Sequence, residues 1–388
     1  MSDRRPTIGI VSESASDNLG DAAIYESIRS FLSPFCDVVP VPLTTPSRSS
    51  SGSGASKPRA RGRMFLPPRT RAQIKWYMLG GRKAQRRKYE RYISEVDAVI
   101  IGGGQLLKSN IALFPERIHE ICRICTSQSK KVGFFGVGVD SNPDKISRII
   151  FDNSVRISDY FGVRDDISKT NLSRFTQDHK KIATHADPAF LISRSPEAAS
   201  HGISDNLILI NVMSFRVFAS RKLDSDDINH DNYIETLTRL YSLFKDTHDV
   251  EIFTTGDQAD LADAQHVSDS AHRLTGARPI VHHPHDLDGL FALIGRARHV
   301  IASRMHAGII ARALGANVVC ADWDSKIEGC WTRIGEGDRV FRGSLLNQPQ
   351  SAEQIAGHLF GFTGGELPDD ARADIEAGLR TCLNAITA

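Results

Sequence analysis

The sequence predicts an α/β protein made of two tandem domains, each a parallel sheet covered by helices on both faces. Short apolar runs alternate with amphipathic helical stretches along the whole chain. The runs themselves lack polar alternation, as expected of strands buried on both faces. The alternation also pauses once, at the polar stretch SRSPEAASHGISDN (193–206), and then restarts. A chain of 388 residues, 40% hydrophobic and 24% charged, holds enough material for two cores of ordinary size.

In the first half, TIGIVSE (7–13) reads as a strand and GDAAIYESIRSFLSPF (20–35) as the helix after it. DVVPVPL (37–43), DAVIIGGG (97–104), KKVGFFGVG (130–138) and SDYFGVR (158–164) are further strands with helical segments between them. After the pause come LILINVMS (207–214), VEIFTTG (250–256), PIVHHP (279–284), HVIAS (299–303) and ANVVCAD (316–322). Helices are expected over 233–245 and 287–297, and a last one near 371–385 could pack on either domain. Strand–helix alternation of this kind makes parallel sheets. The expected units are residues 1–195, residues 205–365, and a C-terminal helix within 366–388.

One segment departs from the pattern. TTPSRSSSGSGASKPRARGR (44–63) is Ser/Gly-rich and then basic, which predicts a flexible basic segment over about 44–92. Within it, RTRAQIKWYMLGGRKAQRRKYERYIS (69–94) reads as a basic helix carrying Ile74, Trp76, Tyr77, Met78 and Leu79. The formal net charge of the chain is only +2, yet residues 57–91 hold thirteen Lys or Arg against one acid, Glu90. Such a segment is either a solvated helix with an ordinary core stripe or a surface for anionic lipid headgroups. A nucleic-acid partner is not expected, because no recognition motif accompanies the charge.

No apolar run approaches the roughly 18 residues that span a bilayer, and the apolar stretch near the N-terminus is too short for a signal peptide. The six cysteines are scattered, which favours free thiols in a reducing compartment. Cys122 and Cys125 form a C-x-x-C inside a helix-like stretch, where a buried helix face is the expected reading. The expected location is the cytoplasm, with the basic segment able to hold the chain at the inner face of the membrane.

Ligands of parallel sheets bind at the carboxyl ends of the strands, and every unusual cluster here falls at such an end. Asn18, Gly20 and Asp21 follow the first strand and suit a tight turn into a helix presenting N–H groups and a carboxylate. Gly102, Gly103, Gly104 and Gln105 follow another strand, with glycines that permit close backbone approach. They match neither a dinucleotide fingerprint nor a Walker loop. Arg164 ends a further strand. Asp165 and Asp166 could cap the next helix with Arg164 paired to one of them, or Arg164 could face an anion across a cleft.

SRMHAG (303–308) mirrors this placement in the second half. If the strand persists, Arg304 and His306 leave on the same face. An arginine offers a fork for carboxylate or phosphate, and histidine exchanges protons near neutral pH. Lys326 follows the next strand and is either a surface lysine or a further cation of the cleft. VHHPHD (281–286) gives no convincing metal geometry, since His282 and His283 would point to opposite faces.

Taken in order, these clusters resemble the polysaccharide pyruvyl transferase family. The likeness rests on NLGDAAI, GGGQLL, GFFGVGVD, FGVRDDISKTNL, HADPAFLI, ILINVMS, SRMHAGIIARALGANVV and the lysine of DSKIEG, from residue 18 to about 328. Family members more often carry Leu where Met305 stands, a change that keeps an apolar spacer. The resemblance implies a two-domain fold of the GT-B kind with an interdomain cleft. It also implies transfer of the enolpyruvyl group of phosphoenolpyruvate onto a sugar of a polysaccharide or of its lipid-linked precursor, as a ketal, with release of phosphate.

The implied donor site comprises Arg304, Met305, His306 and a second arginine, Arg164, with Arg216 in reserve and Lys326 beside them. His306 is expected as the general acid and Asp21 as the residue that orients or deprotonates the acceptor hydroxyl. Asn18, Gly20, Gly102, Gly103, Gly104 and Gln105 are expected to line the acceptor side. No metal or cofactor is expected. The rival reading is a GT-B-like glycosyltransferase using a nucleotide-sugar donor, which would share the same cleft.

Overall fold

A computed structural model describes residues 4–13, 18–44, 68–109, 113–193, 202–220 and 228–388. The first half runs β1 (Thr7–Ser12), α1 (Leu19–Leu32), β2 (Asp37–Pro42), α2 (Pro68–Met78), α3 (Gly81–Ser94) and β3 (Ala98–Gly102). It continues through α4 (Phe114–Ser127), β4 (Lys131–Val137), α5 (Lys145–Ile157), β5 (Tyr160–Val163), α6 (Asp166–Ser173) and β6 (Ile182–Thr184). The second half begins β7 (Ser204–Asn211), α7 (Phe215–Ala219), α8 (His230–Phe244), β8 (Asp249–Phe253), α9 (Gln258–Thr275), β9 (Val281–His282) and α10 (Leu287–Gly295). Then follow β10 (Ala297–Ala302), α11 (Met305–Ala313), β11 (Asn317–Asp322), α12 (Lys326–Arg333), β12 (Val340–Arg342), α13 (Ala352–Phe360) and α14 (Asp369–Thr387).

Among the described residues the strands form two six-stranded sheets, ordered β2-β1-β3-β4-β5-β6 and β12-β11-β10-β7-β8-β9. Every pairing is parallel. The continuous apolar character of the strands follows from their burial on both faces. Ile8, Ile10, Ala98 and Ile100 enter one apolar cluster, while Val11, Val99 and Ile101 enter the cluster on the opposite face. Successive residues therefore serve different helices.

The two halves are joined through apolar contact rather than through the connecting segment alone. Helix α1 and the 3-10 turn Pro188–Leu191 belong to the same buried cluster as the second half's core. Phe190 of that turn meets Trp331 of α12 edge-on, with ring centroids 6.0 Å apart. The final helix settles on the first half. A Cβ on Gly133 of β4 would stand 2.6 Å from Cys382 Sγ of α14, so that glycine lets the helix lie directly on the sheet. Asp374 of α14 accepts a hydrogen bond from Ala186 N at 3.1 Å and pairs with Arg333 of α12 at 3.1 Å.

The expected flexible segment over 44–92 is corrected in its second part. Residues 68–94 form α2 and α3, two helices rather than one, broken where Gly80 takes a φ of 75°. Tyr89 and Ile93 are buried, and Tyr89 donates its hydroxyl to Leu43 O at 2.6 Å. Arg82 and Arg86 pair with Glu120, which is 1% exposed, at 2.7 and 2.8 Å. Residues 45–67 lie outside the described ones. Cys122 and Cys125 do sit on the buried face of α4, where burial pushes the Cys125 thiol up to about 12.

Candidate active site

All strands being parallel, their carboxyl ends bring the loops of both halves to one cleft. There the protein encloses a cavity of about 550 Å³. Glu13, Asn18, Asp21, Gln105, Phe114 and Arg164 line it from the first half, and Thr255, Arg304, Met305, His306, Trp323 and Lys326 from the second. Leu19 N donates across the halves to the backbone carbonyl of the cavity-lining Thr255 at 3.0 Å.

The strand preceding SRMHAG ends earlier than its apolar run implies. β10 stops at Ala302, Arg304 is the extended N-cap residue of α11, and His306 lies in that helix's first turn. The two side chains thus share the cleft because a helix begins there, not because a strand alternates. The turn is pinned by Asn211, whose Oδ1 accepts from Arg304 N at 2.8 Å. Gly308 then lets α11 pack close to the sheet, since a Cβ there would come within 3.2 Å of Cys320 Sγ and of the Trp331 ring.

Arg304 does not stand as an open clamp. Its Nε and Nη2 donate to the two oxygens of Asp260 at 2.9 and 2.6 Å, and Nη2 also reaches Asp257 at 3.0 Å. Asp260 is fully buried and further accepts from Ser214 N at 2.8 Å. Burial pushes its carboxyl above the ordinary range even though Arg304 beside it acts the other way. Nη1 is the edge of Arg304 that carries none of these bonds.

Arg164 and His306, which line the same cavity, meet at a buried carboxylate. Arg164 is 1% exposed and Asp187 fully buried, with Nη1 and Oδ2 3.5 Å apart. His306 Nε2 lies 3.8 Å from the same Oδ2, beyond a direct hydrogen bond. Arg164 Nη2, Asp187 Oδ2 and His306 Nε2 each stand without a hydrogen-bond partner. Burial would raise the Asp187 carboxyl, but His306 and Arg164 outweigh it and hold the group below its ordinary range. Buried polar atoms without partners are rare in folded proteins and commonly mark function. Asp165 caps α6 and approaches Arg164 Nε at 3.4 Å, as the first reading of Arg164 expects, and Arg164 also lines the cavity.

Cross-cleft contacts fix the remaining positions. Lys326 Nζ donates to Gln105 Oε1 at 3.2 Å, pairs with Asp324 at 3.4 Å and lies 5.1 Å over the Trp323 ring. Asn18 caps α1, accepting from Gly20 N at 3.1 Å and donating from Nδ2 to Asp21 at 3.3 Å. A Cβ on Gly20 would stand 2.6 Å from His306 Nδ1, so the imidazole rests on the bare first turn of α1. Gly102 and Gly103 serve packing beneath that helix: a Cβ on Gly103 would come 1.9 Å from Ile24 Cγ2, and one on Gly102 2.9 Å from Ile28 Cδ1. Gly104 approaches Asp21, at 3.3 Å from a built Cβ to Oδ1. Arg216, on α7, is exposed and is not among the residues lining the cavity.

Several cleft residues escape sequence reading. Asp187 lay in the quoted HADPAFLI, and Asp257 and Asp260 follow VEIFTTG, but their partners are remote in sequence. Glu13 ends the first strand's apolar run. It accepts from Thr44 Oγ1 at 2.8 Å through one oxygen, while the other is buried without a partner. Burial pushes the Glu13 carboxyl up, the Thr44 bond opposing and nearby Asp21 adding to the rise.

Comparison with known proteins separates fold from family. UDP-GlcNAc 2-epimerase from Methanocaldococcus jannaschii superposes with a TM-score of 0.58 at 12% identity, covering 97% of this chain and 99% of that one. The corresponding enzymes from Neisseria meningitidis and Rickettsia bellii each give 0.55 at 10% identity, covering 98% and 99% of this chain and 99% and 96% of theirs. At such identity the likeness establishes a fold of the GT-B kind and nothing about ligands. Curated proteins give no significant sequence match. The sequence model of one family, described as polysaccharide pyruvyl transferase, matches residues 18–325, a span that contains both sheets' cleft loops and every cavity-lining residue from Asn18 to Trp323. The chain belongs to the polysaccharide pyruvyl transferase family and is a transferase built on two parallel sheets.

Proposed function

We propose that the protein transfers the enolpyruvyl group of phosphoenolpyruvate onto two hydroxyls of a sugar, forming a pyruvate ketal and releasing phosphate. The observation that carries this reading is the buried meeting of Arg164, Asp187 and His306, in which a guanidinium nitrogen and an imidazole nitrogen of two cavity-lining residues are buried without partners. Phosphoenolpyruvate brings a carboxylate and a phosphate, the acceptors that Arg164 Nη2, Arg304 Nη1 and Lys326 suit.

Protonated His306 delivers a proton to the methylene carbon, which makes the adjoining carbon electrophilic. One sugar hydroxyl attacks that carbon, and a second then displaces phosphate to close the ketal. Of the two hydroxyl protons, one balances the proton gained by the new methyl group and the other leaves with phosphate. Asp187 faces the imidazole across 3.8 Å, while Arg164 and Lys326 stabilise the departing phosphate. On the acceptor side Glu13 and Asp21 are the carboxylates placed to take hydroxyl protons, and Phe114 offers an apolar wall for a sugar ring. General acid–base groups of this kind contribute about 10²–10⁴-fold each.

Thermal shift separates this donor from the nucleotide-sugar alternative. Phosphoenolpyruvate is expected to raise the melting temperature and UDP or GDP sugars to leave it unchanged; the reverse pattern removes the reading.

A further inference from the structure

The α2–α3 hairpin takes no direct part in the cleft, yet its cations divide into two sets. Arg82 and Arg86 turn inward onto the buried Glu120 carboxylate. Arg71, Lys75, Lys83, Arg87, Lys88 and Arg91 are exposed instead. Glu90, the one acid within the two helices, is bonded to Arg86 at 2.7 Å. At the junction of the helices Tyr77, Met78 and Leu79 are 55%, 77% and 74% exposed. Trp76, Tyr89 and Ile93 are buried beneath, so the hairpin is fixed to the body while its apolar tip faces outward.

We infer that this hairpin docks on an anionic lipid bilayer. Cations flanking an exposed aliphatic tip match the two layers of such a surface: the headgroups meet Lys83, Arg87 and Lys88, and Met78 and Leu79 enter the interfacial region. A nucleic acid would satisfy the cations and leave both aliphatic side chains in water. The hairpin also borders the acceptor half of the cleft. Tyr89 holds Leu43 O, and the next residue, Thr44, lines the cavity and bonds Glu13. Gln73 of α2 bonds Glu116 at 2.8 Å, two residues from the cavity-lining Phe114. Resting on the pyruvyl-transfer reading, this placement turns the acceptor half toward a saccharide carried on lipid; the docking itself does not depend on that reading.

The test is sedimentation of the full chain with vesicles of phosphatidylcholine alone or with one third phosphatidylglycerol, with neither phosphoenolpyruvate nor acceptor present. A negative result there leaves donor chemistry untouched. Binding is expected on the anionic vesicles only, and to weaken with salt, since about 0.1 M screens charges beyond about 10 Å. The K83E/R87E/K88E variant is expected to lose at least about tenfold in partitioning. M78S/L79S is expected to lose several-fold at unchanged charge. Both should keep the wild-type melting temperature, which separates lost docking from lost fold. Equal binding to neutral vesicles, undiminished anionic binding by either variant, or capture by duplex DNA in place of vesicles overturns the inference.

Discussion

Gly20 and His306 come from different halves of the chain, and the ring of one occupies the space where the other would carry a side chain. A Cβ on Gly20 would stand 2.6 Å from Nδ1 and 2.7 Å from the His306 Cβ. Alanine is the better helix former by about 1 kcal/mol, so propensity alone favours Gly20→Ala. The clash is expected to reverse that sign, with overpacking of about 1–3 kcal/mol and at least a tenfold loss of turnover. A double-mutant cycle checks it: Gly20→Ala should cost less in a His306→Gly background. Equal cost in both backgrounds removes the contact.

Arg304→Ala is expected to unfold before it merely weakens donor binding. Its removal takes the guanidinium from both oxygens of Asp260, a fully buried carboxylate, and leaves it only the bond from Ser214 N. Breaking a buried pair from one side costs about 3–5 kcal/mol. Denaturant midpoints decide this, and an Arg304→Ala/Asp260→Asn double variant should recover part of the loss.

Glu13→Gln is expected to lower kcat by about 10²–10⁴-fold while leaving the thermal shift by phosphoenolpyruvate intact. Glu13 lines the cavity, with one oxygen buried without a partner and its carboxyl raised by burial. A base must be deprotonated, so kcat should climb through a limb above the ordinary glutamate value of about 4.3, and that limb should vanish in Glu13→Gln. Loss of donor binding with kcat unchanged would assign Glu13 elsewhere.

Much of the fold was legible because its strands are apolar on both faces and its helices amphipathic. β6 and β12, three residues each, carry too little pattern to read, and PIVHHP yields only Val281–His282 as strand. The cleft was legible from chemistry-bearing residues at strand ends, which is why Arg164, Arg304, His306 and Lys326 surround one cavity. Their partners were not legible. Nothing near Arg304 in sequence announces Asp257 or Asp260, and Asp187 meets His306 only because a 3-10 turn of the first half packs on α11. The same limit explains the basic segment: local composition shows the charge of Arg82 and Arg86, and only folding reveals the Glu120 that absorbs it.

Asp187 gives a pH signature. Its folded carboxyl is held below the ordinary value, where Arg164 and His306 overcome burial. A depressed carboxylate contributes stability in full above its unfolded pKa, about 4, and loses it as the pH falls through the folded value. Denaturant midpoints of the wild type should therefore drop more steeply below about pH 4 than those of Asp187→Asn. Parallel curves would show that the carboxylate is not stabilised in the fold.

The most direct measurement follows phosphate release from phosphoenolpyruvate against a panel of sugar glycosides, with His306→Ala alongside. Acceptor-dependent phosphate release, matched mole for mole by a new pyruvate ketal and abolished in folded His306→Ala, is the expected result. Full ketal formation by His306→Ala would contradict the acid role, and release of UDP from a nucleotide sugar with no turnover of phosphoenolpyruvate would contradict the central claim.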